Sequence, residues 1–246
     1  TAITETNSVP GVTTRLLVRI VDWIFVIFAD VRGEFPAAKT RVTGNPVRAA
    51  FAAAAAAARE TAHGGDAAHR PFTLLVFGGS QGAHAINRTV TEALPAWRDL
   101  AAFAIVHQTG PADLDAVREA YRAAGREADV RPFIMDMAAV EAAADLIVCR
   151  AGATSIAEIT ALGKAAILIP FPYAIADHQT RNAEVLARAG AAELIPEREL
   201  TAARTVSERA DRGDASVLDA DRAGVRIAAG AVEDRSVDEK DVERHG

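Results

Sequence analysis

The sequence contains almost no cysteine, and this scarcity limits how the chain can be cross-linked. Cys149 is the single cysteine among 246 residues, so no disulfide can form within the chain. A reducing compartment is the natural environment for such a protein. Because Cys149 lies in an apolar run that predicts a strand, we interpret it as an inert core residue.

Long apolar runs are also missing. The most hydrophobic stretch, residues 16–31, carries three charged side chains and falls short of the about 20 apolar residues that span a bilayer. The polar first ten residues do not have the pattern of a secretory signal. We therefore expect no transmembrane segment. Trp23, Phe25 and Phe28 are typical either of a buried strand, which the pattern favours, or of a peripheral membrane contact.

Positive charge is not in excess. Lysine and arginine together number 27, aspartate and glutamate number 33, and the net charge is -6 at pH 7. This balance argues against a nucleic-acid partner. A hydrophobic share of 50% and a charged share of 24% are ordinary for a folded globular chain.

Apolar runs alternate with helical patterns through the middle of the chain. We predict strands at residues 72–77, 103–107, 130–134, 146–149 and 165–169, with a short last strand at 192–195. The alternation predicts an α/β fold with a Rossmann-like, doubly wound parallel sheet. Residues 51–62, mostly alanine, predict a surface helix with little to pack.

The composition also suggests where domains begin and end. Residues 1–44 offer one helix and one or two strands, too little for a sheet domain, so we interpret them as a remnant of an N-terminal domain and expect a missing N-terminal portion. Residues 45–200 form the main domain. The charged residues 201–246 predict a flexible or loosely helical tail.

A glycine-rich turn follows the first strand of the main domain. Residues 78–83 read GGSQGA and lead directly into a helical pattern. Strand, glycine-rich turn and helix together bring backbone amides close to a phosphate, and Ser80 could donate a hydrogen bond to a phosphoryl oxygen. A tight turn without a ligand is the alternative interpretation.

Residues 145–172 predict a strand, a loop, a helix that Gly163 ends, and a second strand. In such a crossover the loop lies at the carboxyl edge of the sheet, where α/β folds bind ligands. Ser155 and Glu158 have the spacing of a capping box. Glu158 therefore either folds back on its own helix or accepts hydrogen bonds from a ribose diol, and the local sequence leaves both open.

A polar cluster follows the next strand, with Asp177, His178, Gln179 and Asn182 close together. Amide and carboxylate groups at a carboxyl edge suit the recognition of a sugar. The alternative is a solvated helix start capped by Asp177.

Five ordered motifs together resemble the MurG family of bacterial N-acetylglucosaminyltransferases. They are TGNPVR at residues 43–48, GGSQGA at 78–83, FIMDM at 133–137, RAGATS at 150–155 with Glu158, and DHQ at 177–179 with Asn182. The resemblance covers about residues 4–201. It implies the C-terminal half of a GT-B fold, in which two Rossmann-like domains face a cleft.

The resemblance implies an inverting transfer of N-acetylglucosamine from UDP-N-acetylglucosamine to lipid I, giving lipid II for peptidoglycan. No cofactor and no metal ion are implied. The partners are then the nucleotide sugar and a lipid-linked acceptor at the membrane surface, and the location is cytoplasmic, peripheral on the inner face of the cell membrane.

Carried over position by position, the resemblance also implies a donor site. The residues at the diphosphate are Gly79, Ser80, Gln81 and Gly82, with Arg48 nearby. Ile134 lies against the uracil, Glu158 accepts the ribose hydroxyls, Ala153 and Thr154 line the pocket, and His178 and Gln179 meet the sugar. Asn7 also matches a family position.

The chain departs from the family at residues 4–7, where TETN stands in place of His-Glu-Gln-Asn. The family's N-terminal glycine-rich loop with its histidine has no counterpart, and no residue is a convincing general base, so the catalytic residue is unknown. We expect donor binding with little or no turnover. The alternatives are a donor-binding subunit of a split transferase and an enzyme like UDP-N-acetylglucosamine 2-epimerase.

Overall fold

The computed structural model describes residues 1–62, 71–97, 103–174 and 177–201. Within these residues the strands form two parallel sheets, one of three strands and one of six. The predicted tail lies outside the described residues, apart from Thr201.

The smaller sheet comes from the first part of the chain. Its strands are β1 (Ala2–Glu5), β2 (Trp23–Val26) and β3 (Thr40–Val42), paired in parallel in that order, and α1 (Val12–Leu17) connects the first two. Phe28 is buried, but Trp23 is 43% exposed, and the Arg41 guanidinium lies 4.7 Å from the centre of its ring. The expected burial therefore holds for Phe28 and not for Trp23.

The larger sheet confirms the predicted fold class. Its strands are β4 (Thr73–Phe77), β5 (Ala104–Gln108), β6 (Asp129–Arg131), β7 (Leu146–Cys149), β8 (Ala165–Leu168) and β9 (Ala192–Leu194). All pairs are parallel, in the order β6-β5-β4-β7-β8-β9. The helices are α2 (Ala49–Ala62), α3 (His84–Ala93), α4 (Leu114–Ala123), α5 (Met137–Ala143), α6 (Ala153–Leu162) and α7 (His178–Arg188).

The strand order creates a switch point in the middle of the larger sheet. From β4 the chain moves outward to β5 and β6, then returns to add β7 on the other side of β4. The loops after β4 and β7 therefore lead away from each other at the carboxyl edge. The crevice between two such loops is where open α/β sheets bind ligands.

The helix α6 begins earlier than the capping-box interpretation requires. Its N-cap is Gly152, and no side chain caps it, while Gly163 ends it in the left-handed conformation with φ 63° as predicted. Ser155 therefore lies inside the first turn, and the capping-box interpretation of Glu158 is wrong. The small residues around Gly152 let the helix start soon after β7 ends. The Glu158 carboxylate contacts Arg48 instead of its own helix start.

The alanine-rich α2 is not a loosely attached surface helix. Phe51 is fully buried and forms a small core cluster with Ala55 and Leu162, against which Met137 also packs. Because alanine side chains are small, α2 can approach α5 and α6 closely. Residue composition alone underestimated this packing.

Buried residues of both sheets belong to one hydrophobic cluster that includes Ile24 and Val26 from β2 and Leu75 and Phe77 from β4. Polar contacts also join the two parts of the chain, as described for Asn182 below. The predicted division at residues 44 and 45 stays a prediction, although each sheet lies wholly on one side of it.

Candidate functional site

The glycine-rich turn after β4 is shaped by a close approach to the loop after β5. Gly79 and Gly82 have φ of 90° and 78°, and the Gly82 amide donates to the Gly79 carbonyl at 2.9 Å. A Cβ on Gly82 would lie 1.9 Å from the Thr109 carbonyl oxygen. The turn then enters α3 without a side-chain cap, so the first amides of the helix remain available to an anion.

A cavity of about 540 Å³ lies against this turn. We call it the glycine-loop cavity. Its wall comes from the loops after β4, β7, β8 and β9. Of the predicted residues, Gly79, Gly82 and Gln179 line it, and Ser80 and Gln81 are exposed in the same turn.

Gln108, which the sequence did not single out, connects two parts of the predicted site. Its side chain is 1% exposed. The side-chain amide donates to the Gly79 carbonyl at 2.9 Å, and the side-chain oxygen accepts from the Ile134 amide at 2.8 Å. Gln108 thus fixes the glycine-rich turn relative to the loop after β6.

Glu158 and Arg48 form an ion pair beside the first turns of α6. The Arg48 Nε and a terminal guanidinium nitrogen both contact Oε1 of Glu158, at 3.0 and 2.9 Å. The Glu158 side chain is 6% exposed, whereas that of Arg48 is 63% exposed. The guanidinium also lies 4.8 Å from the centre of the Phe51 ring. The carboxylate is therefore held from one side by a group that solvent or a ligand can reach.

Arg48 lines a second cavity, of about 270 Å³, together with Phe51, Met135 and Asp136. Ile134 precedes this wall, but its side chain is 2% exposed and packs in the core. The residue therefore offers a base almost no surface, and its amide already donates to Gln108. Of the predicted residues, Gly79, Gly82 and Gln179 thus line the glycine-loop cavity, and Arg48 lines the second cavity.

The remaining predicted residues lie at the starts of α6 and α7. Ala153 accepts a weak hydrogen bond from the Asn45 side chain at 3.4 Å, and Thr154 is exposed. His178 begins α7, and the Gln179 side-chain oxygen accepts from the Phe171 amide at 2.9 Å. Asp177 is the N-cap of α7 as predicted, yet its carboxylate accepts from the Thr180 hydroxyl rather than capping the helix.

Asn7 reaches the larger domain through Asn182. The fully buried Asn182 side chain donates to the Asn7 side-chain oxygen at 3.3 Å and accepts from the Ser8 amide at 2.9 Å. Glu5 supports the same loop by accepting from the amides of Asn7 and Gly11, at 3.1 and 2.9 Å. The loop after β1 is therefore fastened to α7, close to Gln179.

A chain of polar side chains runs from the core to the edge of the glycine-loop cavity. Tyr121 contacts Nδ1 of His107 and Nε2 of His107 contacts the Asn87 side-chain oxygen, both at 3.1 Å. Asn87 donates to Asp113 at 2.7 Å, and His84 donates to the same carboxylate. Burial lowers the pKa of His107 to about 4, so this ring is neutral, and the Asn87 oxygen fixes its proton on Nε2.

Arg150, part of the RAGATS motif, also lines the glycine-loop cavity. It pairs with Glu197 at 2.5 Å and donates to the carbonyls of Ile169 and Pro170 at 3.3 and 3.2 Å. Its charge is therefore already compensated. It holds the ends of β7 and β8 together at the floor of the site.

A third cavity, of about 790 Å³, lies elsewhere. It is lined by residues at the amino ends of β5 and β6, including Phe103 and Ala128. Parallel sheets bind ligands at their carboxyl edge, so we assign the site to the two smaller cavities.

The strand order and the glycine-rich turn at the switch point define a Rossmann-like domain of the kind found in GT-B glycosyltransferases. The family model described as the glycosyltransferase family 28 C-terminal domain matches residues 73–216. The chain belongs to this glycosyltransferase family.

The chain is similar to bacterial proteins named UDP-N-acetylglucosamine–N-acetylmuramyl-(pentapeptide) pyrophosphoryl-undecaprenol N-acetylglucosamine transferase. It is 56% identical over 209 residues to that of Syntrophus aciditrophicus, covering 85% of this chain and 56% of the relative. The relative in Geobacter sulfurreducens is 49% identical over 200 residues, covering 81% and 54%. The chain thus spans about half the length of these relatives.

Among solved structures, MurG of Acinetobacter baumannii superposes with a TM-score of 0.66 at 34% identity, covering 82% of this chain and 55% of that one. The UDP-GlcNAc 2-epimerase from Neisseria meningitidis superposes with a TM-score of 0.55 at 14% identity, covering 81% and 55%. The second likeness concerns the fold alone.

Proposed function

We propose that this chain binds UDP-N-acetylglucosamine as the donor half of an enzyme that transfers N-acetylglucosamine to lipid I. The observation that carries the proposal is the glycine-rich turn at the switch point of the sheet, where Gly79, Gly82 and the start of α3 line the glycine-loop cavity. The diphosphate and sugar would occupy the glycine-loop cavity near Gly82 and Gln179. The nucleoside would lie toward Arg48 and Glu158.

The chemistry of such a site follows from its charges. The acceptor hydroxyl attacks the anomeric carbon and loses its proton to a base, the bond to the diphosphate oxygen breaks, and UDP leaves with the electron pair. The amides at the start of α3 and of the glycine-rich turn stabilise the leaving diphosphate. Within the described residues no group of three or more histidine, cysteine or carboxylate side chains could hold a metal ion, and the proposal uses none.

The first prediction tests the ribose contact at Glu158. We expect Glu158→Ala to weaken UDP-N-acetylglucosamine binding by about 10- to 100-fold, because a buried carboxylate that accepts hydrogen bonds from a diol is lost. Isothermal titration would measure it. A 2′-deoxy donor should bind wild type more weakly than the normal donor does. Glu158→Ala should then weaken the binding of the 2′-deoxy donor little further, since both changes remove the same interaction.

A matched control is available on α4. Glu119 is exposed and also pairs with an arginine, Arg122 at 2.6 Å, but it lies outside both cavities. Glu119→Ala should leave donor affinity unchanged. If Glu158→Ala bound the donor as wild type does, or lost equal affinity for both donors, the ribose contact would be refuted.

Transfer to the acceptor is a separate question. Thr4 stands where the resemblance calls for histidine, so we propose that the chain binds the donor but turns it over slowly or not at all. A radiolabelled donor with a lipid I analogue would measure this. Full activity of residues 1–246 would contradict the proposal.

We further propose a cytoplasmic protein that is peripheral on the inner face of the membrane, where an undecaprenol-linked acceptor resides. Val12, Leu16 and Ile20 are exposed apolar side chains on and after α1, with Arg15 and Arg19 beside them in the sequence. Such a surface suits an anionic bilayer. No helix in the described ranges has the length and hydrophobicity to cross a bilayer.

The second prediction concerns this surface. We expect Leu16→Ser together with Ile20→Ser to reduce co-sedimentation with vesicles that contain an anionic phospholipid, by about fivefold, because buried apolar area drives interfacial binding. Thr13→Ser, at another exposed position of α1, serves as the control. Equal sedimentation of all three proteins would reject the contact.

A further inference from the structure

His84 is a titratable side chain of the glycine-loop cavity that the proposed function leaves unused. It is the first residue of α3 and lines the cavity beside Gly82. Its side chain is 77% exposed, so a ligand entering the cavity meets it. Nδ1 donates to both oxygens of Asp113, at 3.0 and 3.1 Å. Within the described residues, Nε2 has no hydrogen-bond partner.

The Asp113 side chain contacts His84 and Asn87 rather than capping its own helix. It occupies the N-cap of α4 but makes no capping hydrogen bond. Its carboxylate instead accepts from Asn87 and His84. Asn87 is oriented in turn by donating to the Thr109 carbonyl at 2.9 Å and by accepting from His107.

The ionisation of Asp113 suits a fixed partner for an imidazolium. Partial burial acts to raise its pKa, but the hydrogen bonds from Asn87 and His84 hold the pKa below its ordinary value. Asp113 is therefore ionised throughout the neutral range. With Nδ1 donating to Asp113, a protonated ring presents Nε2–H as a second donor.

The other ionisable side chains in the described wall of the cavity are paired with each other. Its described wall carries three ionisable side chains, His84, Arg150 and Glu197. Arg150 is compensated by Glu197 at 2.5 Å, and Arg48, at the second cavity, is compensated by Glu158. A diphosphate entering the cavity would therefore find its additional charged hydrogen bond at His84.

We propose that protonated His84, positioned by Asp113, donates a hydrogen bond from Nε2 to a phosphate oxygen of the donor. Binding of the donor then takes up a proton at this residue. The same contact would stabilise the diphosphate as it leaves. The inference rests on the proposed function, because it assumes that the cavity holds a nucleoside diphosphate.

The test is the pH dependence of UDP-N-acetylglucosamine binding, measured by titration calorimetry. The diphosphate of this donor is esterified at both ends, so the ligand itself does not titrate near neutrality. We expect wild type to bind about tenfold more weakly at pH 8 than at pH 6, because the contact requires the protonated ring and a charged hydrogen bond is lost without it. Binding should also take up protons from the buffer.

Three variants separate this role from a structural one. His84→Gln should bind weakly at both pH values, and His84→Arg should bind well at both, since arginine stays charged. Asp113→Asn should move the loss of affinity to lower pH, because the imidazolium loses its ionised partner. Uridine, which lacks the diphosphate, should bind all three variants and wild type alike.

Arg88→Gln is the matched control. Arg88 is exposed on the same helix and pairs with Glu92 at 3.6 Å, outside the cavity, so its pH profile should match that of wild type. Thermal unfolding would show that each variant is folded. If His84→Gln and wild type had parallel pH profiles, the role of His84 would be overturned and the proposed function would stand. If wild type did not bind UDP-N-acetylglucosamine at all, the proposed function itself would fail.

Discussion

Gly82→Ala is expected to lower the free energy of unfolding by about 2–5 kcal/mol and to remove measurable donor binding. The new Cβ would lie 1.9 Å from the Thr109 carbonyl oxygen and 2.6 Å from its carbon. These are backbone atoms, so the turn itself must move. The φ of 78° adds a second penalty because a residue with a side chain rarely adopts it. Displacing the turn moves the amides that would hold the diphosphate.

Gly79→Ala separates the clash from the backbone penalty. Gly79 has a similarly positive φ of 90°, but a Cβ there would have nothing within 4 Å. We expect Gly79→Ala to cost about 1–2 kcal/mol through backbone strain alone. Urea denaturation of both variants, followed by titration with UDP-N-acetylglucosamine, would measure the difference. Equal losses of stability would show that the approach to Thr109 is unimportant.

The fold could be predicted from the sequence because its signals are local. Strands β4, β7 and β8 are continuous apolar runs buried on both faces, and each is followed by glycine or proline within a few residues. Periodicity and punctuation identify such elements without knowledge of their neighbours. The strand order could also be anticipated, since parallel crossovers leave few arrangements.

The internal contacts of the site could not be predicted in the same way. Gln108 joins Gly79 and Ile134, which lie 29 and 26 residues away along the chain. His84 and Asp113 are also 29 residues apart. Such pairs meet only because β4, β5 and β6 are neighbours in the sheet. A polar residue at the end of an apolar strand, such as Gln108, was the one local signal of this arrangement.

Glu158 shows how a distant contact overrides a local pattern. The spacing from Ser155 matched a capping box, yet the carboxylate contacts Arg48, 110 residues away. A capping contact contributes about 1 kcal/mol, whereas a buried carboxylate without a partner loses more than that. Because the fold buries Glu158, the arginine contact decides its orientation.

Glu141 is a buried acid that interacts electrostatically with Glu158 and Arg48. Its side chain is fully buried, and neither carboxylate oxygen has a hydrogen-bond partner among the described residues. Burial, followed by the negative charge of Glu158, raises the pKa of Glu141 to about 8, although Arg48 acts in the opposite direction. Glu141 is therefore protonated at neutral pH, which lets one acid remain buried beside the charged Glu158.

We expect this acid to make the stability of the fold depend on pH. Below about pH 4.5 the carboxyl is protonated in both the folded and the unfolded chain, and its ionisation contributes nothing. Between pH 4.5 and about 8 the unfolded chain releases the proton that the folded chain keeps, so stability falls as the pH rises. The slope approaches about 1.4 kcal/mol per pH unit, and the loss reaches about 3 kcal/mol near neutrality.

Glu141→Gln removes the ionisable group while keeping its size, so the stability of the variant relative to wild type should increase with pH between about 4.5 and 8. The opposite contribution of His107, whose lowered pKa makes stability rise with pH below about 6.5, is common to both proteins and cancels in the difference. Urea denaturation between pH 5 and 8 measures this difference. Glu119→Gln is the control: Glu119 is exposed, and the hydrogen bond from Arg122 lowers its pKa, so its own pH effect lies below this range. Parallel curves for Glu141→Gln and wild type would mean that the buried carboxyl is ionised in the folded protein. In that case the negative charge next to Glu158 would have to be balanced by Arg48 alone.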